Sequence, residues 1–192
     1  LHFLDGATGQ DLKEMDWFSP ALSRGQFQHI VRNSLRQEEW GTVSQRRASF
    51  YGTMYGVDRA ATLELHKLLG GLDRYELRCV LTGGLGTRVQ RHRMQAALDP
   101  MCRCCGAAVE TLTHMFDECE TLAHIRHSVL SPAVWHALPP CLRFHGVMPA
   151  NIGGTVEERK DLACSVQHTL LDMWRHRCTF RADEDPVMLA RW

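Results

Sequence analysis

The chain has 192 residues, 44% of them hydrophobic and 23% charged, a composition that is typical of a globular chain with a buried core and argues against disorder. No apolar run approaches the ~20 residues that span a bilayer, so we expect a soluble chain without a membrane partner. The formal net charge is zero, which argues against a protein that binds a polyanion over its whole surface.

Apolar residues recur at helical spacing through most of the chain and predict a mainly α fold, an irregular helical assembly without convincing strands. The first helix is predicted over residues 21–39, and a weaker one over residues 44–55. Asp58 caps the next helix. Gly70 and Gly71 end that helix, because glycine accepts the left-handed conformation found at helix ends.

The next helices are each predicted from a polar residue at their start. Asp73 with Glu76 forms a capping box for a short helix that ends at the turn "TGGLG". Thr87 caps a helix that leads into a cysteine-rich segment, and Thr111 begins a helix after that segment, which Pro132 ends.

The last part of the chain combines a proline-rich stretch with a long helix. Residues 131–150 contain four prolines and predict an ordered irregular connection that packs on the body. Thr155 and Glu158 form a second capping box. The apolar stripe that follows predicts a helix docked on the rest of the chain; its members are Leu162, Val166, Thr169, Leu170, Met173 and Trp174.

Four of the eight cysteines lie within "MCRCCGAAVETLTHMFDEC", residues 101–119. The spacing is Cys102-x2-Cys105-Gly106-x7-His114-x4-Cys119. Two residues between cysteines let a tight turn aim both sulfurs at one point, and Gly106 lets the backbone fold back. His114 and Cys119 come from the start of the following helix, as the second ligand pair of a zinc finger does. The predicted metal ligands are therefore Cys102, Cys105, His114 and Cys119.

The type and number of these ligands predict the metal and its role. Three thiolates and a neutral imidazole favour Zn²⁺ over Ca²⁺ or Mg²⁺, and four protein ligands leave no open position for a water or a substrate. We therefore predict a structural zinc ion in a small embedded knuckle that depends on the metal to fold. Cys104 is an alternative ligand to Cys105, and we favour Cys105 because the two-residue spacing followed by glycine is typical of zinc knuckles. Ordinary buried cysteines and a disulfide are the other interpretations.

Basic residues are concentrated before and within this cluster. Of the 22 lysines and arginines, three are lysine and 19 are arginine. Six of these arginines lie between residues 74 and 103, namely Arg74, Arg78, Arg88, Arg91, Arg93 and Arg103. Arginine suits phosphate because its planar fork donates two parallel hydrogen bonds. A solvated polar face or biased codon usage explains the same pattern equally well.

The strings "LTGGLGTRVQRHRM", "DPMCRCCG" and "ETLTHMFDECETLAHIR" lie in sequence over residues 77–126. This region resembles the segment after the polymerase thumb of non-LTR (LINE-type) retrotransposon polyproteins. There a leucine-rich helix ends in a Leu-Thr-Gly turn before a Cys-x2-Cys-Gly, Glu-Thr-x2-His, Cys zinc motif and a trailing arginine. Gly84 departs from the family, in which many members have histidine after Thr-Gly.

The resemblance implies the same four zinc ligands, a turn at Thr82 and Gly83, and Arg126 as the trailing basic residue. We predict three parts of the chain: a helical, thumb-like connecting region over 1–100, the CCHC knuckle with its helix over 101–130, and the proline-rich connection with the docking helix over 131–192. The sequence begins at Leu1 without a signal peptide, so we expect a fragment of a longer polyprotein. Clustered cysteines suit a reducing compartment, the nucleus or the cytoplasm.

We expect no enzymatic activity from this fragment, although the parent polyprotein is expected to be an RNA-directed DNA polymerase. Polymerase chemistry needs a carboxylate pair that holds two metal ions. The closest string, "RADEDP" at 181–186, lacks the aromatic residue and the strand-turn-strand setting, and the partner carboxylates of a ribonuclease H do not follow in order.

Two functions remain open from the sequence. In the first, the fragment binds RNA or DNA through the phosphate backbone and positions it for the upstream polymerase region. The predicted contacts are Arg88, Arg91, Arg93, Arg103 and Arg126. In the second, the fragment is a zinc-stabilised helical scaffold that binds protein, such as the upstream polymerase, without nucleic-acid contact. Salt dependence of binding separates the two.

Overall fold

The computed structural model describes residues 23–180 except 96 and 98. Its α-helices are α1 (Arg24–Arg46), α2 (Arg59–Thr62), α3 (Glu64–Leu68), α4 (Gly71–Thr82), α5 (Arg88–Arg93), α6 (Ala123–Arg126), α7 (Pro132–Ala137), α8 (Pro140–His145) and α9 (Val156–Thr179). Short 3-10 turns lie at Ala48–Phe50, Thr53–Tyr55 and Glu120–Leu122, and a single π-helical turn lies at His114–Glu118. The predicted mainly α class is confirmed.

Helix α9 is the central element of the packing. It contacts α2, α3, α4, α6, α8 and the π-helical turn. Its stripe residues Val166, Leu170 and Met173 are fully buried, which confirms the predicted docking helix. The capping box of Thr155 and Glu158 at its start is also confirmed.

The buried core takes residues from all three predicted parts of the chain, among them Leu77, Phe116 and Leu170. The division at residues 100 and 130 stays a prediction, and it does not coincide with separate cores. Within the described residues, no helix has the length and apolar character needed to cross a bilayer.

The second predicted helix, over residues 44–55, is wrong. Helix α1 continues to Arg46 through Gly41, and the two 3-10 turns follow where residues 44–55 were predicted to form a second helix. The residues before Ser23, where the first prediction began, lie outside the described range, as does the string at 181–186.

The helices before the cysteine segment match the predicted caps in part. Asp58 caps α2 by accepting a hydrogen bond from the Ala61 backbone N–H. Gly83 has φ +67° and ends α4, as predicted. The capping box of Asp73 and Glu76 is wrong, because both carboxylates instead bind Arg175 on α9.

The helix predicted from Thr111 to Pro132 is also wrong as a continuous element. Thr111 does accept a hydrogen bond from the His114 backbone N–H. The chain then becomes extended at Cys119, with ψ 112°, before the 3-10 turn and α6. Pro132 begins α7, with Ser131 as its N-cap, so the proline-rich stretch contains two short helices, α7 and α8.

His145, the last residue of α8, joins three segments of the body. Its Nδ1 lies 3.1 Å from the Val80 carbonyl oxygen and its Nε2 lies 2.9 Å from Ser49 Oγ. Its ring stacks on Phe50 with 3.8 Å between centroids. Because a carbonyl only accepts, Nδ1 carries the proton, and Ser49 donates to Nε2. The ring is therefore a neutral, fully satisfied buried group.

Burial of His145 predicts a loss of stability at acidic pH. Burial, together with the Arg47 guanidinium, outweighs the Val80 hydrogen bond and lowers the pKa of His145 from 6.5 to about 4. In the unfolded chain the imidazole takes up a proton near pH 6.5, so stability is complete above that pH and is lost as the pH falls towards 4. At about pH 5 the loss from this group is about 2 kcal/mol.

Urea unfolding followed by circular dichroism at several pH values measures this loss. The control is His145→Gln, which keeps a donor and an acceptor but does not titrate. At neutral pH this variant is expected to have a lower free energy of unfolding than the wild type. Between neutral pH and about pH 5 it is expected to lose about 2 kcal/mol less than the wild type. Parallel curves for the two proteins would contradict the assignment.

Candidate metal centre

The cysteine pair sits in a tight hairpin turn. The backbone N–H of Gly106 donates to the Cys102 carbonyl at 2.7 Å, and the Cys102 N–H donates to the Ala108 carbonyl at 2.7 Å. Gly106 has φ +64°, a left-handed conformation that glycine adopts without strain. An isolated bridge between Met101 and Val109 closes the hairpin. The turn therefore aims the Cys102 and Cys105 sulfurs to one side.

The other two ligands lie on either side of the π-helical turn. His114 is its first residue, and Cys119 directly follows it in an extended conformation. A regular helix would carry Cys119 further round its axis. The wider π-helical turn is closed by the Cys119 backbone N–H, which donates to the His114 carbonyl at 2.7 Å. This turn and the extended residue after it bring the Cys119 sulfur back to the side of the hairpin.

The four predicted side chains come together in the structure. One ligand atom from each of Cys102, Cys105, His114 and Cys119 lies within 4.8 Å of all the others. The two cysteine sulfurs of Cys102 and Cys119 are 3.9 Å apart, and Cys105 Sγ is 3.3 Å from His114 Nε2. A tetrahedral ion with bonds of about 2.3 Å to sulfur and 2.0 Å to nitrogen has edges of about 3.8 and 3.5 Å. The cluster thus fits a four-coordinate metal ion.

Cys104 lies beside the cluster but is not one of its members. Its side chain hydrogen-bonds to Cys102 and, as the largest cause, lowers the pKa of the Cys102 thiol to about 4. Its carbonyl accepts a hydrogen bond from Thr121 Oγ1, which ties the hairpin to the 3-10 turn. The eight cysteines are all free thiols, so no disulfide competes for these sulfurs.

The electrostatics of the cluster require a cation before all its thiols can ionise. Burial, followed by the charge of Cys102, raises the pKa of Cys119 to about 12. Burial and a neighbouring thiolate thus both disfavour ionisation of Cys119 when no cation is bound. A bound metal ion supplies the positive charge that stabilises neighbouring thiolates, so metal binding releases protons.

Arg126 and Glu118 lie outside the four-ligand cluster and contact the segment that carries His114 and Cys119. The buried Arg126 guanidinium donates from Nε to the Phe116 carbonyl at 2.9 Å and from Nη2 to the Cys119 carbonyl at 2.8 Å. These bonds fix the backbone around Cys119. Glu118 Oε2 lies 3.6 Å from His114 Nδ1, the ring nitrogen that faces away from the cysteines. A carboxylate at that position favours the tautomer with Nε2 free to bind metal.

Glu110 joins this centre to α9, a connection that the sequence reading missed. The Glu110 carboxylate is fully buried and pairs with Arg177, with Arg177 Nη2 2.6 Å from Oε1 and Nε 3.2 Å from both oxygens. Oε1 also accepts a hydrogen bond from the Arg88 backbone N–H at the start of α5. The two partners are 67 residues apart, and no local spacing signals such a pair.

The arginines predicted to bind nucleic acid lie in different environments. Arg88, Arg91 and Arg126 are 1%, 6% and 4% exposed, and this burial argues against the contacts that were predicted between these three residues and a phosphate backbone. Arg88 also bonds to Asp99 at 3.1 Å. Arg93 is exposed and Arg103 is half-buried, and for these two the contact stays a prediction.

Comparisons with protein families, with curated proteins and with solved structures find no match to this chain. The resemblance to retrotransposon polyproteins therefore rests on the quoted motifs. The metal centre rests on its own geometry.

The pairing of Glu110 with Arg177 predicts a strong loss of stability when one partner is removed. Glu110→Gln and Arg177→Met are each expected to lower the free energy of unfolding by about 3–5 kcal/mol, because each leaves a buried charge without its counter-charge. The double variant removes both charges and is expected to lose clearly less than the sum. Urea unfolding of the four proteins measures the coupling, and additive losses would contradict a direct pair.

Proposed function

We propose that this chain is a zinc-stabilised, nucleic-acid-binding and non-catalytic segment from the C-terminal part of a retroelement reverse transcriptase. The observation that carries the proposal is the convergence of Cys102, Cys105, His114 and Cys119. These are the four residues that the resemblance to non-LTR retrotransposon polyproteins assigns as ligands. A nuclear or cytoplasmic location belongs to the same proposal, because a reducing compartment keeps such thiols available for metal.

The chemistry of the donor set supports zinc as the metal. Three sulfurs and one imidazole nitrogen at tetrahedral spacing suit Zn²⁺, whereas Ca²⁺ and Mg²⁺ require oxygen ligands. Four protein donors fill the coordination sphere, so the role proposed for the ion is structural. It joins the hairpin at Cys102 and Cys105 to the segment that enters α6.

Two exposed or half-exposed arginines at the knuckle support the nucleic-acid part of the proposal. Arg93 ends α5 at the surface, and Arg103 lies inside the hairpin between the first two cysteines. The positive charge of these two arginines suits a phosphate backbone.

An exposed apolar surface favours a second candidate function, the protein-binding scaffold. Leu72 and Tyr75 on α4 are 69% and 58% exposed. They line a groove of about 710 Å³ that Met94 and Trp174 also border. Under this alternative the occupant is the upstream polymerase region of the same polyprotein, and nucleic acid does not bind.

The first test is metal content. The wild-type chain is expected to hold one zinc ion, and Cys105→Ala or His114→Ala is expected to hold none, because three remaining donors do not close the cage. Cys104→Ala is the matched control: it removes a neighbouring thiol outside the four-atom cluster and is expected to keep one ion. Elemental analysis after dialysis gives the ratio. Retention of zinc by Cys105→Ala with its loss from Cys104→Ala would overturn the ligand set.

The second test is the salt dependence of nucleic-acid binding by the zinc-loaded chain. Fluorescence anisotropy with labelled single-stranded and duplex RNA is expected to show affinity that falls steeply with salt, since each neutralised phosphate releases a counterion. Arg93→Ser and Arg103→Ser are each expected to reduce the slope of log Kd against log salt by about 0.7–0.9. Absence of binding, or affinity that ignores salt, would instead support the scaffold.

A further inference from the structure

A second basic site lies away from the zinc knuckle, in a cleft between α1 and the helices α2–α4. The cleft has a volume of about 320 Å³, and the residues that matter for its chemistry are Trp40, Arg59, Leu63, His66, Arg78 and Leu81. This volume falls at the lower end of small-ligand sites, which span about 300–1,000 Å³. The cleft therefore suits a single compact group and not an extended helix.

The structure shows no counter-charge for the arginines of the cleft among residues 23–95, 97 and 99–180. Arg59 and Arg78 are exposed, and neither guanidinium makes an ion pair or side-chain hydrogen bond within the part of the chain that the structure describes. The pKa of His66 is lowered, first by burial and then by the charges of Arg74 and Arg78. A positive field thus acts on the half-buried imidazole at the cleft wall, and an anion would relieve it.

The nearby carboxylates are already paired elsewhere. Asp58, at the start of α2, binds Arg159 of α9 at 2.8 Å. Glu64, at the start of α3, binds Lys67 at 3.0 Å. Neither lines the cleft. The cations of the cleft are consequently available to an external anion such as a phosphate.

The remaining walls are apolar and include one aromatic ring. Leu63 and Leu81 line the cleft, and Trp40 borders it from α1 with part of its side chain exposed. Trp40 is held at its position by packing against Phe50, at 6.4 Å between ring centroids. A fixed, partly exposed indole beside two guanidinium groups is the combination that single-stranded nucleic-acid sites use to stack a base and hold its phosphate.

We propose that this cleft binds one nucleotide unit of a single-stranded nucleic acid, with the base against Trp40 and the flanking phosphates on Arg59 and Arg78. The inference deepens the proposed nucleic-acid function and rests on it. It places a contact that selects single strands on the α1–α4 side of the chain. A base paired in a duplex cannot leave its stack without cost, so the cleft favours unpaired strands.

The experiment uses the full zinc-loaded chain and a fluorescein-labelled oligouridylate, with anisotropy measured over a series of salt concentrations. Arg59→Ser and Arg78→Ser are each expected to lower the slope of log Kd against log salt by about 0.7, as for one phosphate contact on a single strand. Trp40→Leu is expected to weaken binding about tenfold without changing the slope, because stacking carries no charge. Arg46→Ser, the same charge change at the exposed end of α1, is the matched control and is expected to keep the wild-type slope.

Zinc content and circular dichroism test whether each variant keeps its fold. For a folded variant, a smaller slope of log Kd against log salt then means the loss of a phosphate contact. If the wild-type chain binds oligouridylate with a salt slope that Arg59→Ser and Arg78→Ser leave unchanged, and with an affinity that Trp40→Leu leaves unchanged, the cleft is not the site and the proposed function stands. If the wild-type chain does not bind at all, both fail. Equal competition by polyglutamate, which has charge without bases, would overturn the nucleotide assignment. An equal effect of Trp40→Leu on duplex RNA would overturn the preference for unpaired bases.

Discussion

The metal centre depends on one constraint, the interruption of the helical conformation at Cys119. A hairpin can bring two sulfurs together from a local turn, but the third and fourth ligands must approach from the opposite side. The π-helical turn from His114 and the extended conformation of Cys119 provide that approach. Arg126 holds the break in place through the carbonyls of Phe116 and Cys119. An unbroken helix, the arrangement that the apolar spacing favours, would direct the last sulfur away from the other three.

Several arginines of this chain are buried in its interior, while others lie at the surface. Arg88, Arg126 and Arg177 each place a guanidinium inside the body, where it bonds to carboxylates or to backbone carbonyls. A guanidinium is weakly hydrated and has five donors in a fixed plane, so it can satisfy several buried acceptors at once. A cluster of arginines in the sequence therefore has two physical explanations, and only the positions of their partners distinguish them.

Local signals account for what the sequence could predict. The cap at Asp58, the helix end at the TGGLG turn and the capping box at Thr155 each depend on residues within a few positions of one another, and each was predicted. The ligand spacing is local in the same sense. Asp73 and Glu76 match the same capping pattern but bind Arg175, about one hundred residues away. A distant cation competed with the local cap, and nothing in the local pattern reveals that competition.

The predicted helix after the cluster failed for a related reason. Leu112, Met115, Phe116, Cys119 and Leu122 do reach the core, as the apolar pattern requires. Burial of these residues does not demand a single straight helix, because π and 3-10 turns can point the same residues inward. The pattern thus fixed which side chains are inside without fixing the backbone that carries them.

Helix α4 contributes both to the core that also contains residues of the π-helical turn and to the basic cleft. Its buried side carries Leu77 and Val80, which pack in the same core as Met115 and Phe116 of the π-helical turn. Its other side presents Arg78 and Leu81 to the cleft. No ligand of the metal cluster lines the cleft, so the metal affects it only through the position of α4 and the core beneath it. Under the proposed function, a structural ion in the knuckle would therefore support a binding surface that other residues form, since Arg88, Arg91 and Arg126 are buried.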